Sequence, residues 1–227
     1  MNLQSMALTA SVWAIPVLLA VTLHEAAHGW AAWRLGDDTA KRLGRVTFNP
    51  FRHIDLFGTI LLPALLLLAS GGQAMFGFAK PVPVNFARLR NPRRDMVLVA
   101  AAGPGINLLL AVAAGLLFHL VNLLPAEAQR WVFFNLMNLM AFNLIIGVFN
   151  MLPIPPLDGG RVAVGLLPFP LAVRLARLER FGIFIVLGGL FLVPFIGSRL
   201  GMDLDLFTPL ILVPAQFLQT LIFALVG

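Results

Sequence analysis

Five apolar runs limit what this chain can become: 6–33, 96–124, 131–152, 181–198 and 207–226 together hold a single charged residue, Glu25. Each approaches or exceeds the length of about 20 residues that a helix needs to cross a bilayer core, and a soluble domain has no interior large enough for all five. Composition agrees, with 59% hydrophobic and 11% charged residues and a mean hydropathy of +0.91, against about 25% charged in an ordinary soluble domain. The net charge of +6 does not indicate a nucleic-acid partner, because the basic residues lie in short blocks between apolar runs, as membrane topology requires. Cysteine is absent, which leaves His, Asp, Glu or Asn to hold any metal. The first run has no basic start and is too long for a signal peptide, so it is expected to stay as a span.

A sixth apolar segment, 57–72, is only 16 residues long and contains Pro63. If it crossed the membrane, the 16 Lys and Arg residues would divide seven against nine; if it enters and leaves on one side, they divide fourteen against two, Arg130 and Arg199 being the two. Cytoplasmic loops are rich in Lys and Arg, so the expectation is five full spans, a re-entrant or interfacial 57–72, an outer N-terminus and an inner C-terminus. The stretch FAKPVPVN at 78–85 places Pro81 and Pro83 on one edge of an extended chain. It is a loop stiffened by proline or a one-sided edge strand.

Ionisable groups at membrane depth cost roughly 2.5 kcal/mol or more unless they are paired or hydrated, yet the first span carries His24, Glu25 and His28 as HEAAH. Residues 24 and 28 are one helical turn apart, about 6 Å along the axis and on one face, so both imidazoles can reach one metal ion. Glu25 is displaced by about 100 degrees around the helix, which suits a general base acting on water beside that ion. A catalytic zinc site usually takes a third protein ligand and keeps one position open. The third run, 131–152, leads into FNMLPIPPLDGG, 149–160, where three prolines break the helix and Asp158 precedes two glycines. Asp158 is the candidate third ligand, although an Asp in such a place is also a frequent helix N-cap. The fourteen-to-two topology makes the two spans parallel and brings Asp158 to the leaflet that holds His24 and His28.

With these residues in place, the chain resembles the site-2 protease family of intramembrane zinc metalloproteases. HEAAH at 24–28 resembles the family's HExxH, NMLPIPPLDG from Asn150 to Gly159 resembles its NxxPxxxLDG signature, and AAGPGIN at 101–107 resembles its GPxxN element. FNPFRHIDLFGTILLP, 48–63, and FAKPVPVN resemble loops of the small prokaryotic members. PAEAQR, 125–130, is too short for an inserted PDZ domain.

The resemblance implies an all-α polytopic membrane protein forming one domain over 1–227, with a core at 6–162 and a C-terminal helical pair at 181–226. It implies one Zn2+ per chain held by His24, His28 and Asp158, water activated by Glu25, and Asn150 holding the substrate or the developing oxyanion. The substrates would be transmembrane proteins, cut in or near their spans. FAKPVPVN would pair its free edge with the unwound substrate, and the site would open to the cytoplasmic side of the cell membrane. A divalent-metal transporter and a relative that binds without cutting are the alternatives. Gly103, Gly105 and Asn107 are expected to serve helix packing, and His53 and His119 to stand apart from the cluster.

Overall fold

The structure is a computed structural model that describes residues 3–69 and 77–226. Every regular element among those residues is helical. Five helices, Ala7–Arg34, Pro92–Leu123, Ala126–Asn150, Phe169–Arg199 and Thr208–Val226, are long and apolar enough to cross a membrane, as the five apolar runs predict for an all-α polytopic membrane protein. We label Leu3–Arg34 α1, Leu62–Ala69 α2, Pro92–Leu117 α3, Ala126–Asn150 α4, Asp158–Leu166 α5, Phe169–Arg199 α6 and Thr208–Val226 α7.

Helices α1, α3 and α4 pack on one another to form the core. Small residues line their contacts, with Ala20, Ala32, Ala111 and Ala114 fully buried, and small side chains let membrane helices approach closely. Near the start of α1, Trp131 Nε1 donates to Ser11 Oγ at 3.0 Å and Asn138 Nδ2 to Val12 O at 2.9 Å. Further along, His24 and His28 meet Asp158 just beyond the end of α4. Helices α1 and α4 are therefore parallel. Helix α3 runs the other way, since His28 reaches Val99 while Ala20 reaches Asn107.

The described residues on either side of 70–76 lie close together. A π-helical turn, Leu56–Leu61, leads into α2, and the pair, 6 plus 8 residues, reaches only about 21 Å. The chain then comes back to its starting point. Phe78 N–H donates to Gly58 O at 3.0 Å, Thr59 Oγ1 to Phe78 O at 3.0 Å, and Lys80 N–H to His53 O at 2.9 Å. Both ends of the segment thus lie together, as the charge count requires; residues 70–72 of it lie outside the described residues.

The C-terminal pair departs from expectation. Val226 O accepts from His119, the Phe223 ring lies 5.8 Å from that of Phe118, and Ile222 packs against Gly115. The end of α7 therefore sits with the start of α1, at the end of the core remote from His24, instead of at the opposite face. Counting crossings fails here because the loop after α6 runs back alongside it. A π-helical turn interrupts α6 at Gly188–Leu192, Gly197 abuts Met202 and Leu204, and Gly189 faces Leu206.

Candidate metal centre

The HEAAH helix and the loop after α4 bring three buried donors to one point. His24 Nε2 and His28 Nε2 are 3.1 Å apart, and Asp158 Oδ2 lies 3.2 Å from the first and 3.3 Å from the second. Ligands held at about 2.0–2.1 Å in a tetrahedron stand about 3.3 Å from each other, so this triangle has the dimensions of one tetrahedral face. In a catalytic zinc site the fourth vertex belongs to water or substrate.

The hydrogen bonds behind the rings decide what the three atoms can do. His24 Nδ1 lies 2.6 Å from Asn107 Oδ1, and His28 Nδ1 lies 2.7 Å from Val99 O. Both partners are acceptors, so each neutral imidazole carries its proton on Nδ1 and turns the bare lone pair of Nε2 toward the cluster. Asp158 Oδ2 is buried without a hydrogen-bond partner. Three lone pairs then converge with no proton between them, an arrangement that a cation stabilises. Burial alone would raise the pKa of Asp158; a proton placed on either Nε2 would add a hydrogen bond and a charge that outweigh burial and hold the carboxyl below the usual carboxylate range.

The Asn107 amide cannot turn over freely. Its Nδ2 donates to Asn143 Oδ1 at 2.7 Å, and Asn143 Nδ2 donates to Leu139 O at 2.7 Å, with both side chains fully buried. A chain of amides thus runs from α4 through α3 to His24.

Glycine allows the approach at two places. A Cβ on Gly103 would stand 2.4 Å from His28 Nε2 and 2.6 Å from His24 Cε1, so α3 crosses α1 where only a bare backbone fits beside the imidazoles. On the other side a Cβ on Gly159 would meet Met151 O at 2.1 Å. Helix α5 begins at Asp158, with Leu157 at the N-cap and no side-chain cap bond. Asp158 is therefore not the N-cap, and its carboxylate faces the imidazoles.

Glu25 is half-buried, and its Oε2 accepts from the Val82 N–H at 2.8 Å. The 78–85 segment forms no strand. In an extended chain the N–H and C=O groups of alternate residues share an edge. Here Phe78 and Lys80 use both groups on their own protein, Lys80 O accepting from Arg45 Nη2 at 2.8 Å, and Val82 gives its N–H to Glu25. On the edge expected to stay free for a substrate, Phe78, Lys80 and the Val82 N–H are thus engaged internally, and the other edge carries the two prolines.

Asn150 is brought into no bond with the cluster; its Nδ2 donates to Ile146 O, 3.0 Å away in its own helix. His53 and His119 stand apart as expected, on Thr47 O and Val226 O respectively. The residues given only packing roles from sequence, Gly103 and Asn107, sit directly against the imidazoles, and Asn143 and the Val82 N–H were not foreseen. An amide inside an apolar run, which needs a partner at that depth, is the signal that could have drawn attention to Asn143.

The sequence profile described as peptidase family M50 matches residues 12–127. The chain is 39% identical over 189 residues to the protein named "Putative zinc metalloprotease YwhC" of Bacillus subtilis, covering 79% of this chain and 80% of that one. It is 33% and 36% identical to proteins named "Putative zinc metalloprotease Rip2" of Mycolicibacterium smegmatis and Mycobacterium tuberculosis, over 63% of this chain and 52% of theirs. The chain thus spans about half the length of those mycobacterial relatives. No solved structure matches it with significance.

Proposed function

The chain belongs to peptidase family M50, and on that premise we propose that it is an intramembrane zinc metalloprotease that hydrolyses peptide bonds in or near the transmembrane segments of membrane proteins. The observation that carries this reading is the tetrahedral face formed by His24, His28 and Asp158, with an acid at the position next to the first histidine. These three residues would hold one zinc ion. Bound there, zinc would lower the pKa of a water toward about 7 and polarise the scissile carbonyl.

The remaining steps belong to the chain. Glu25 accepts the proton that the attacking water loses and returns it to the departing amine. Asn107 and the Val99 carbonyl hold the imidazoles in the tautomer that leaves Nε2 bare. Glu25 is half-buried and held by the Val82 N–H, so the Val82 segment lies beside the proposed base. A helical substrate hides its amides in its own hydrogen bonds and must be unwound locally, so helix-weakening residues near the cut are expected. The fourteen-to-two division of basic residues supports a site that opens toward the cytoplasm from the cell membrane. Transport of the metal would need a second polar relay toward the remote end, and the cavity there is lined by Phe118, Val121, Phe133, Met137 and Phe223 with Asn122.

The test is cleavage of a model transmembrane substrate in detergent by native protein, chelator-treated protein and Glu25→Gln. Native protein is expected to cut and the other two to fail. Metal flux without cutting would instead favour transport, and cutting by Glu25→Gln would remove Glu25 from the mechanism.

A further inference from the structure

Glu25 can serve as a base only if one carboxylate oxygen is aimed at the water, and a carboxylate on a flexible side chain has no reason of its own to hold that aim. Its Oε2 accepts a 2.8 Å hydrogen bond from the Val82 N–H. Pro81 and Pro83 flank Val82 and have no N–H, so within Pro81–Val82–Pro83 this is the one backbone donor that an acid can find. The donor is also fixed in place. On its N-terminal side Lys80 N–H donates to His53 O at 2.9 Å, and Lys80 O accepts from Arg45 Nη2 at 2.8 Å. On its C-terminal side Asn85 N–H donates to the buried Asp37 carboxylate at 2.6 Å, which ties the segment to the end of α1. The Val82 side chain is buried and lies against Gly29, one turn beyond Glu25 on the same helix; a Cβ at Gly29 would be 3.0 Å from Val82 Cγ1.

We propose that the backbone N–H of Val82 is a positioning group for Glu25: it holds Oε2 and leaves Oε1 as the oxygen that takes the proton from water and later gives it to the amine. The proline on either side prevents a neighbouring N–H from capturing the carboxylate in another register. This inference rests on the protease reading and adds to it the group that orients the base.

The experiment uses the full chain in detergent and compares Val82→Pro, which removes the N–H, with Val82→Ala, which keeps it while losing similar packing. Loss of a hydrogen bond to a charged group corresponds to about a ten- to hundredfold effect. The expected result is a kcat for Val82→Pro lower than that of Val82→Ala by that factor, with KM and bound zinc equal in the two. Equal kcat values would overturn the proposal, and a faster Val82→Pro would mean that the N–H restrains Glu25 in an idle state. Should Val82→Pro lose its metal, replacing Val82 by the corresponding α-hydroxy acid removes the same N–H without a ring, and the same comparison with Val82→Ala decides. Two controls run alongside: native protein that fails to cut would overturn the protease reading itself, and Glu25→Gln that cuts as well as native protein would remove Glu25 from the mechanism, whereas an inert Glu25→Gln with equal Pro and Ala variants sinks only the role of Val82.

Discussion

At one end of the α1, α3 and α4 core the helices are joined by buried polar atoms: His24 to Asn107, Asn107 to Asn143, and His28 to Val99 O. At the other end, where α1 and α4 meet through Trp131 with Ser11 and Asn138 with Val12, rings join the end of α3 to α4 and α7, with Phe118 5.5 Å from Phe133 and 5.8 Å from Phe223. Helices α3 and α4 serve both ends, so the difference lies in how much error each kind of contact can absorb. Aromatic packing accepts small shifts because dispersion is non-directional and varies slowly with position. A set of lone pairs facing one point does not, because each donor atom must keep its place to within tenths of an ångström. The polar end is the one expected to respond to single atoms.

The largest expected effect is at the proposed base. Glu25→Gln should reduce cleavage at saturating substrate by about 10²–10⁴-fold, the usual contribution of general acid–base catalysis, while leaving bound metal unchanged. Next is Gly103→Ala, which adds one methyl group 2.4 Å from His28 Nε2 without altering any ligand. Chelator competition should show a metal affinity lower by about a hundredfold, and an unchanged affinity would mean that α3 can withdraw from α1 at no cost. Asn107→Leu, which removes the acceptor behind His24, should weaken metal binding by about tenfold or more, and Asn143→Leu, acting only through Asn107, by less. The smallest effect belongs to the aromatic end, where Phe133→Leu should leave metal binding and cleavage unchanged and cost about 1 kcal/mol of stability in a denaturation curve. A Phe133 variant as damaging to metal binding as Asn107→Leu would erase the contrast between the two ends.

A pH scan adds a prediction for the loop that carries Val82. Burial alone would raise the pKa of Asp37, but its bonds from Thr39 and from the Asn85 N–H outweigh this and hold the carboxyl below its ordinary 3.8. A folded-state pKa below the unfolded one adds stability above the unfolded value, and that stability is lost as pH falls through the folded value. Amide protection across 78–85 should therefore hold at neutral pH and decline below about 4, and Asp37→Asn should lose this acid dependence.

Much of the site was legible in the chain. The spacing of His24 and His28 lies within one helix, and the broken helix before Asp158 announces itself through Pro153, Pro155 and Pro156. That the residues flanking 57–72 lie on one side was legible because topology is written in the distribution of Lys and Arg. What escaped depends on rotations between helices. Whether Asn107 faces His24 or lipid is set by how α3 turns against α1, and no local pattern carries that angle. The Val82 N–H escaped for another reason, since every residue but proline has a backbone donor and nothing marks the one that matters. The direction of α7 escaped because apolar length does not show that the loop after a helix runs back alongside it.

The most direct measurement is the metal content of purified native protein beside Asp158→Ala and Glu25→Gln. If two imidazoles and the distant carboxylate share one ion, native protein and Glu25→Gln should each retain about one zinc per chain, and Asp158→Ala should lose most of it in the same buffer. A full complement of zinc in Asp158→Ala would contradict the account.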